Sequence, residues 1–285
     1  MQSLMKNDQG LTEQEFLANY KPSAYPRPSL TVDMLLFTIE QDKLKLLLIQ
    51  RKNHPFIQCW ALPGGFVGIN ESIEQAVYRE LAEETNITQD VYFEQLYTFG
   101  EVNRDPRMRV VTCAYMSLTP NYNIKNTCAG DDAKKAAWFT VELTKIYQQS
   151  TEHCYEMVLY NQEYQTQIKY TVKERAEGIR KKQDILLNPS SKDCLAFDHA
   201  HSVYMALQRL RNKVQYTPIA FSLVPKKFTL GQLQKVYQVL LGEKLDRANF
   251  RKGIKHMVVQ VGTQKTEGSR RATMLFEYNP LHNPK

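Results

Sequence analysis

Residues 29–51 carry two runs of Leu, Ile and Val around the polar turn Gln41-Asp42-Lys43, a pattern that predicts two strands in a hairpin. Strand-like stretches recur at 91–99 and 108–118, with Asn103-Arg104-Asp105-Pro106-Arg107 as the loop between them. Ala136-Ala137-Trp138-Phe139 reads as a further short strand, 141–149 as a helix, and the alternating segment 155–173 as a long hairpin. The polar stretch 176–193 reads as partly loose, and 197–214 as a helix interrupted by Thr217-Pro218, where a domain boundary is placed. Residues 1–214 then form one domain and 215–285 a second.

The second domain has clear helix punctuation. Thr229 and Gln232 make a capping box, and Phe228 and Leu233 are spaced as its hydrophobic staple. Leu230, Leu233, Val236, Tyr237, Leu240 and Leu241 give a 3.6-residue stripe that Gly242 closes. Asp246 caps a second helix stapled by Leu245 and Phe250. Val258–Val261, the loop KTEGSRR and a returning strand at 272–278 complete the outline of a winged helix-turn-helix.

Between the first hairpin and residue 91 lies one more helix, entered through Pro63-Gly64-Gly65 and capped by Asn70 or Ser72. It places Glu80, Glu83 and Glu84 at i, i+3 and i+4, nearly on the side of Ile73, Ala76 and Val77. Like charges there repel, and carboxylates on a half-buried face need a compensating cation. A hard divalent ion suits such oxygen ligands, above all when substrate phosphates complete its shell. The alternative is a solvated acidic helix.

Charge divides unevenly. Residues 226–285 carry twelve Lys and Arg against four Asp and Glu, whereas the first 225 carry 25 against 26, so the net +7 belongs to the last sixty residues. That asymmetry suggests an appended nucleic-acid-binding module. No apolar run reaches membrane-span length and no signal-peptide pattern opens the chain. The five cysteines (Cys59, Cys113, Cys128, Cys154, Cys194) are scattered and never in CxxC spacing, which reads as reduced thiols in a cytoplasm.

Gly65, Glu71, Arg79-Glu80-Leu81-Ala82-Glu83-Glu84 and Ile87 together resemble the Nudix box, the signature of hydrolases that cleave nucleoside diphosphates linked to another group. One departure is Asn86 where the family usually has Gly; Asn is the next most tolerant of the left-handed conformation. The resemblance implies an α/β/α Nudix sandwich with a mixed sheet. It implies Glu80 and Glu84 as the main Mg2+ (or Mn2+) ligands, with Glu83 toward an outer ion and the Gly64 carbonyl completing the site. Arg79 then orients carboxylates, and Glu71 holds the loop to the helix. Family members acting on ADP-ribose often take their general base from a loop outside the box, which here points to Asp131 or Asp132, or else to two turn-capping residues. The sequence YTFGEVNRDPRMRVVTCAY resembles Nudix domains that handle ADP-ribose, which makes Arg104 and Arg107, with Arg51 at the end of the hairpin, the expected substrate contacts.

From Leu195 to Ile254 the chain is similar to the carboxy-terminal half of Nudix-related transcriptional regulators of NAD metabolism. This implies a homodimer that binds double-stranded operator DNA. Arg247 and Asn249 of the second helix are expected at base edges, and Arg251, Lys252, Lys255, Arg270 and Arg271 at phosphates. Two functions follow, and they are compatible: a Mg2+-dependent ADP-ribose pyrophosphatase yielding AMP and ribose 5-phosphate, fused to a DNA-binding domain, or a regulator that senses ADP-ribose or a sugar.

Overall fold

The computed structural model describes residues 5–21, 26–85, 91–120, 133–149, 151–264 and 272–281. A short helix, α1 (Glu13–Asn19), precedes the sheet, capped by Thr12, whose side chain and Glu15 form a reciprocal capping box. The hairpin forms as β1 (Ser29–Glu40) and β2 (Lys43–Arg51), and the short strands β3 (Trp60–Ala61) and β4 (Gly64–Phe66) lead into α2 (Ile73–Thr85). There follow β5 (Tyr92–Phe99), β6 (Val110–Leu118), β7 (Ala133–Gln148), β8 (Glu152–Asn161), β9 (Thr166–Glu177), β10 (Arg180–Leu187) and α3 (His199–Lys213).

These strands make one sheet in the order β10-β9-β8-β7-β2-β1-β6-β5, with β3 on β2 and β4 on β1. β1 and β6 run parallel and their other pairings antiparallel, so the sheet is mixed. β1 is buried on both faces, which explains its unbroken apolar run. Val32, Met34 and Leu36 pack with Ala76, Val77 and Leu81 of α2. Leu35 and Phe37 face the other way, into the core shared with α3. The sheet is therefore covered on both sides by helix, as the sandwich expectation requires.

Two local expectations are corrected. Residues 141–149 continue β7 instead of turning helical: Val141, Thr144, Ile146 and Tyr147 are β-branched or aromatic, and the stretch pairs with β8 from Thr140 to Gln148. The segment 176–193 contains β10, a polar edge strand paired with β9 from Glu177 to Tyr170. Its Arg180, Lys181 and Lys182 are exposed, a composition that keeps an edge from pairing with other chains.

The carboxy-terminal part comprises α4 (Leu230–Leu241), α5 (Arg247–Ile254) and the ribbon β11 (Val258–Gln264) and β12 (Thr273–Tyr278). Thr229 and Gln232 form the capping box of α4, Gly242 ends it in the left-handed conformation at φ 75°, and the Asp246 side chain caps α5. The turn between the helices is gripped by two glutamines. Leu245 N–H donates to Gln238 Oε1 at 2.9 Å, and Gln234 Nε2 donates to the Leu245 carbonyl at 2.9 Å. Phe228 exchanges backbone hydrogen bonds with Phe276, a single antiparallel bridge that ties the entry to α4 to the ribbon. This is a winged helix.

No apolar gap separates it from the sheet domain. Leu207, Leu210 and Val214 around the end of α3, Ile219 and Leu223 of a 3-10 turn (Pro218–Leu223), and Leu233 and Val236 of α4 lie in a single hydrophobic cluster. Among the described residues no helix is long and apolar enough to cross a membrane.

Candidate functional site

A cleft of about 960 Å³ lies beside β1, between the loop leading into α2 and the start of α3. Its acidic wall comes from α2. Ala76, Val77 and Leu81 hold one face of the helix against the sheet, and Glu80 and Glu84, one turn apart, are carried down with it to 7% and 6% exposure. Glu83 stays in solvent.

Arg79 organises this wall. Its Nε and Nη2 donate to both oxygens of Glu71 at 3.1 and 2.8 Å, and its Nη1 donates to Glu80 at 2.8 Å and Glu83 at 3.1 Å. Nη2 also reaches the Phe66 carbonyl at 3.1 Å, and Glu71 accepts the Gly68 N–H at 2.6 Å. One guanidinium thus ties the glycine loop to the helix and fixes the carboxylates. Its hydrogen bonds hold the Glu71 carboxyl down at about 2. Burial pushes Glu80 the other way, above the ordinary carboxylate value, against the opposing pull of Arg79.

The two glycines are dictated by crowding. Gly64 sits at φ 154°, and an added Cβ there would fall onto the Val32 carbonyl; one at Gly65 would fall onto Glu80 Oε1. The loop therefore lies flush against Glu80. Gly64→Ala is expected to destabilise the fold by about 1–3 kcal/mol through strain and overlap, read as a lowered thermal midpoint. An unchanged midpoint means the loop is not held this tightly.

Among the described residues, no three His, Cys, Asp or Glu side chains converge into a ready-made metal cage. The donor set nonetheless fits a magnesium-type ion, which takes one or two carboxylates and leaves the rest of its shell to water and substrate phosphates. Glu80 and Glu84, on one buried flank with Gly65 packed against Glu80, are the residues that would hold it, and Gly64 lines the same cleft.

The opposite wall is basic and closed by ion pairs. Arg104 has only 4% of its side chain exposed; its Nε and Nη2 donate to Asp198 at 2.9 and 2.7 Å, and Nη2 reaches Asp33 at 3.4 Å. It lines the cleft, but its two-pronged donor edge faces Asp198, so it clamps the 100–108 loop to the start of α3. Arg107 is similarly paired with Asp105 at 3.0 and 2.8 Å yet remains half-exposed. Arg51 lies over the Phe197 ring at 5.0 Å and donates to the Pro55 carbonyl at 2.8 Å.

His199, which no motif in the sequence singles out, is buried and lines the cleft. Leu62 N–H donates to its Nδ1 at 2.9 Å, which leaves the proton on Nε2, 3.7 Å from Asp33. Burial, aided by Arg104 and Arg51, holds it below the ordinary histidine value, despite Asp33 and Asp198. The unfolded chain then takes up a proton near pH 6.5 that the folded chain refuses, so stability falls as pH drops through that value. The melting temperature of His199→Gln is expected to depend less steeply on pH between about 7.5 and 5.5. Equal slopes contradict a neutral buried His199. His201 is shifted the same way by burial and supplies a remaining slope.

On the winged helix, Phe250 and Ile254 are buried while Arg247, Asn249, Arg251, Lys252 and Lys255 are all exposed, so α5 presents a basic outer face. Asp131, Asp132, Arg270, Arg271 and the helix-ending Asn86 lie outside the described residues.

This two-part layout has close counterparts. The NUDIX domain family model matches residues 28–156, and that of the NrtR DNA-binding winged helix domain matches 220–278. The chain is 34% identical over 270 residues to the ADPR responsive transcriptional repressor NtrR of Acinetobacter baylyi, covering 94% of this chain and 88% of that protein. The chain belongs to the NrtR family of Nudix proteins. A solved structure of Shewanella oneidensis NrtR, complexed with a 27mer DNA, superposes on this family member with a TM-score of 0.63 at 29% identity, covering 88% of this chain and 94% of the other. The Nudix part alone is 43% identical over 115 residues to an ADP-ribose pyrophosphatase of Methanocaldococcus jannaschii, covering 40% of this chain and 63% of that enzyme.

Proposed function

We propose that this NrtR-family protein is an ADP-ribose-responsive DNA-binding regulator. Its cleft takes ADP-ribose or a related nucleoside diphosphate with a divalent ion, and α5 enters the major groove of operator DNA, two copies acting as a dimer. One observation carries the reading: α3 spans from cleft to winged helix. His199 lines the cleft at the first residue of α3, Asp198 before it holds Arg104, and Leu207 and Leu210 farther along share a core with Leu233 and Val236 of α4. A ligand that prefers one position of α3 is thereby coupled to the placement of α5, and coupling of this kind is worth about 5- to 150-fold in affinity. The repressor relative from Acinetobacter baylyi, matched over nearly the whole chain, supports the same assignment.

A second reading, hydrolysis, is favoured by a specific feature. Every carboxylate of the box is present, Glu71 in the loop and Glu80, Glu83 and Glu84 on α2, with Glu80 and Glu84 at the cleft and Arg79 bonded to Glu80 and Glu83. A bound divalent ion would neutralise the diphosphate and supply a metal-activated water for cleavage to AMP and ribose 5-phosphate. The protein's own share is to fix Glu80 through Arg79, to keep the glycine loop closed on it, and to exclude bulk water with the Arg104–Asp198 wall. Hydrolysis then removes the signal that the regulator reads. The first reading is tested by whether ADP-ribose shifts the affinity of the full chain for promoter DNA.

A further inference from the structure

Cys59 and Cys194 are 135 residues apart in the chain, yet their Sγ atoms lie 2.8 Å apart. Local pairing brings them together. Trp60 N–H donates to the Cys194 carbonyl at 3.1 Å and Ala196 N–H to the Trp60 carbonyl at 2.8 Å, so Trp60 and Leu195 form a parallel bridge. The cysteine preceding each is then the other's register neighbour on the same side. Both thiols are partly exposed, whereas Cys113 and Cys154 are buried.

The pair also occupies a telling position. Cys59 closes the 52–58 loop, whose Lys52, Asn53 and His54 line the cleft. Cys194 stands just ahead of Phe197 and His199, which line it from the other side. The two segments already touch through Phe56 and Phe197, ring centroids 4.8 Å apart, and Phe56, Gln58 and Phe197 hold left-handed backbone at φ 59°, 67° and 51°. Non-glycine residues persist there only when their surroundings enforce it.

We propose that Cys59 and Cys194 are a reversible redox pair whose disulfide ties the 52–58 loop to the segment entering α3 and changes how the cleft holds its ligand. The ligand half rests on the reading of the cleft given above; the covalent half does not. Burial and the contact with Cys59 push the Cys194 thiol up. With a peroxide as oxidant, the thiolate of one cysteine attacks one oxygen, the O–O bond breaks, and a sulfenic acid and hydroxide form. The other cysteine then displaces the sulfenic oxygen as hydroxide. The S–S bond forms, the two thiol protons join the two hydroxides, and two waters leave. Two electrons pass from the sulfurs to the peroxide. A dithiol reductant reverses the step by exchange through a mixed disulfide.

The test uses the full chain, fully reduced or treated with stoichiometric hydrogen peroxide, followed by alkylation, proteolysis and mass mapping. The expected product links the Cys59 and Cys194 peptides, leaves Cys113 and Cys154 alkylatable, and disappears on treatment with dithiothreitol. ADP-ribose titrations of the oxidised and reduced forms are expected to differ by at least about fivefold in dissociation constant, with no difference in Cys59→Ser. Free alkylation of both cysteines after peroxide, or pairing with other partners, overturns the covalent pair. A mapped bridge with equal affinities overturns its regulatory half. If neither form binds ADP-ribose, the reading of the cleft fails and the regulatory half falls with it, while the peptide map still decides the pair.

Discussion

Glu84→Gln is expected to lower Mg2+-dependent cleavage of ADP-ribose by roughly a hundredfold or more, since losing a metal-binding carboxylate removes about 3 kcal/mol or more of transition-state stabilisation. The substitution is nearly isosteric. It removes a buried negative charge from the flank of α2 beside Glu80, without touching Ala76, Val77 or Leu81, which hold the helix to the sheet. The fold should therefore survive, because the apolar side chains that seat α2 are unchanged. Release of AMP, followed chromatographically with and without Mg2+, is the readout. Cleavage at the wild-type rate would show that Glu84 takes no part in holding the ion.

The second large effect concerns DNA. Arg247→Ala and Asn249→Ala are each expected to weaken operator binding by about 1–3 kcal/mol, roughly fivefold to 150-fold, and to relax sequence preference. Both side chains are exposed in the first turn of α5, the end that meets base edges in helix-turn-helix docking. The turn gripped by Gln234 and Gln238 keeps that end at a set angle to α4. Lys255→Ala, by contrast, should weaken binding to all sequences alike and reduce the salt slope by about one. Electrophoretic mobility shifts at several salt concentrations separate the two behaviours. A uniform loss for Arg247 and Asn249 variants would move α5 from base reading to backbone contact.

Much of this was legible in the sequence because the signals were local. The capping box of Thr229 and Gln232, the stripe of α4 and the Asp246 cap specify their helices within a few residues, and all three stand in the structure. The box carboxylates were legible because their spacing on a helix is itself the chemistry. The helix expected at 141–149 failed because its short apolar spacing suited two periods, and long-range pairing with β2 and β8 decided between them. β10 was missed because a one-sided polar edge strand carries little alternation. The capping box of Thr12 and Glu15 was readable and marks α1.

The site shows the same division. Glu71, Arg79, Glu80 and Glu83 are close in sequence, so a motif can encode their contacts. Arg104 and Asp198 are 94 residues apart, and Cys59 and Cys194 farther still; nothing local marks such pairs. Arg104 was expected as a substrate contact, and its pairing with Asp198 was not legible because that partner belongs to the approach to α3, a helix whose position only the folded sheet fixes. His199 likewise owes its neutral state to burial among distant strands and loops, where Leu62 N–H donates to its Nδ1, and this outweighs the opposing pull of Asp33.

The most direct test of the central claim is binding of the full chain to DNA from upstream of its own and neighbouring genes, titrated by fluorescence anisotropy with and without saturating ADP-ribose. The account predicts a dissociation constant that ADP-ribose changes by at least about tenfold, with DNA changing the affinity for ADP-ribose by the same factor. DNA affinity that ADP-ribose leaves untouched would contradict it, and would leave a Nudix domain and a winged helix that share a core without sharing a signal.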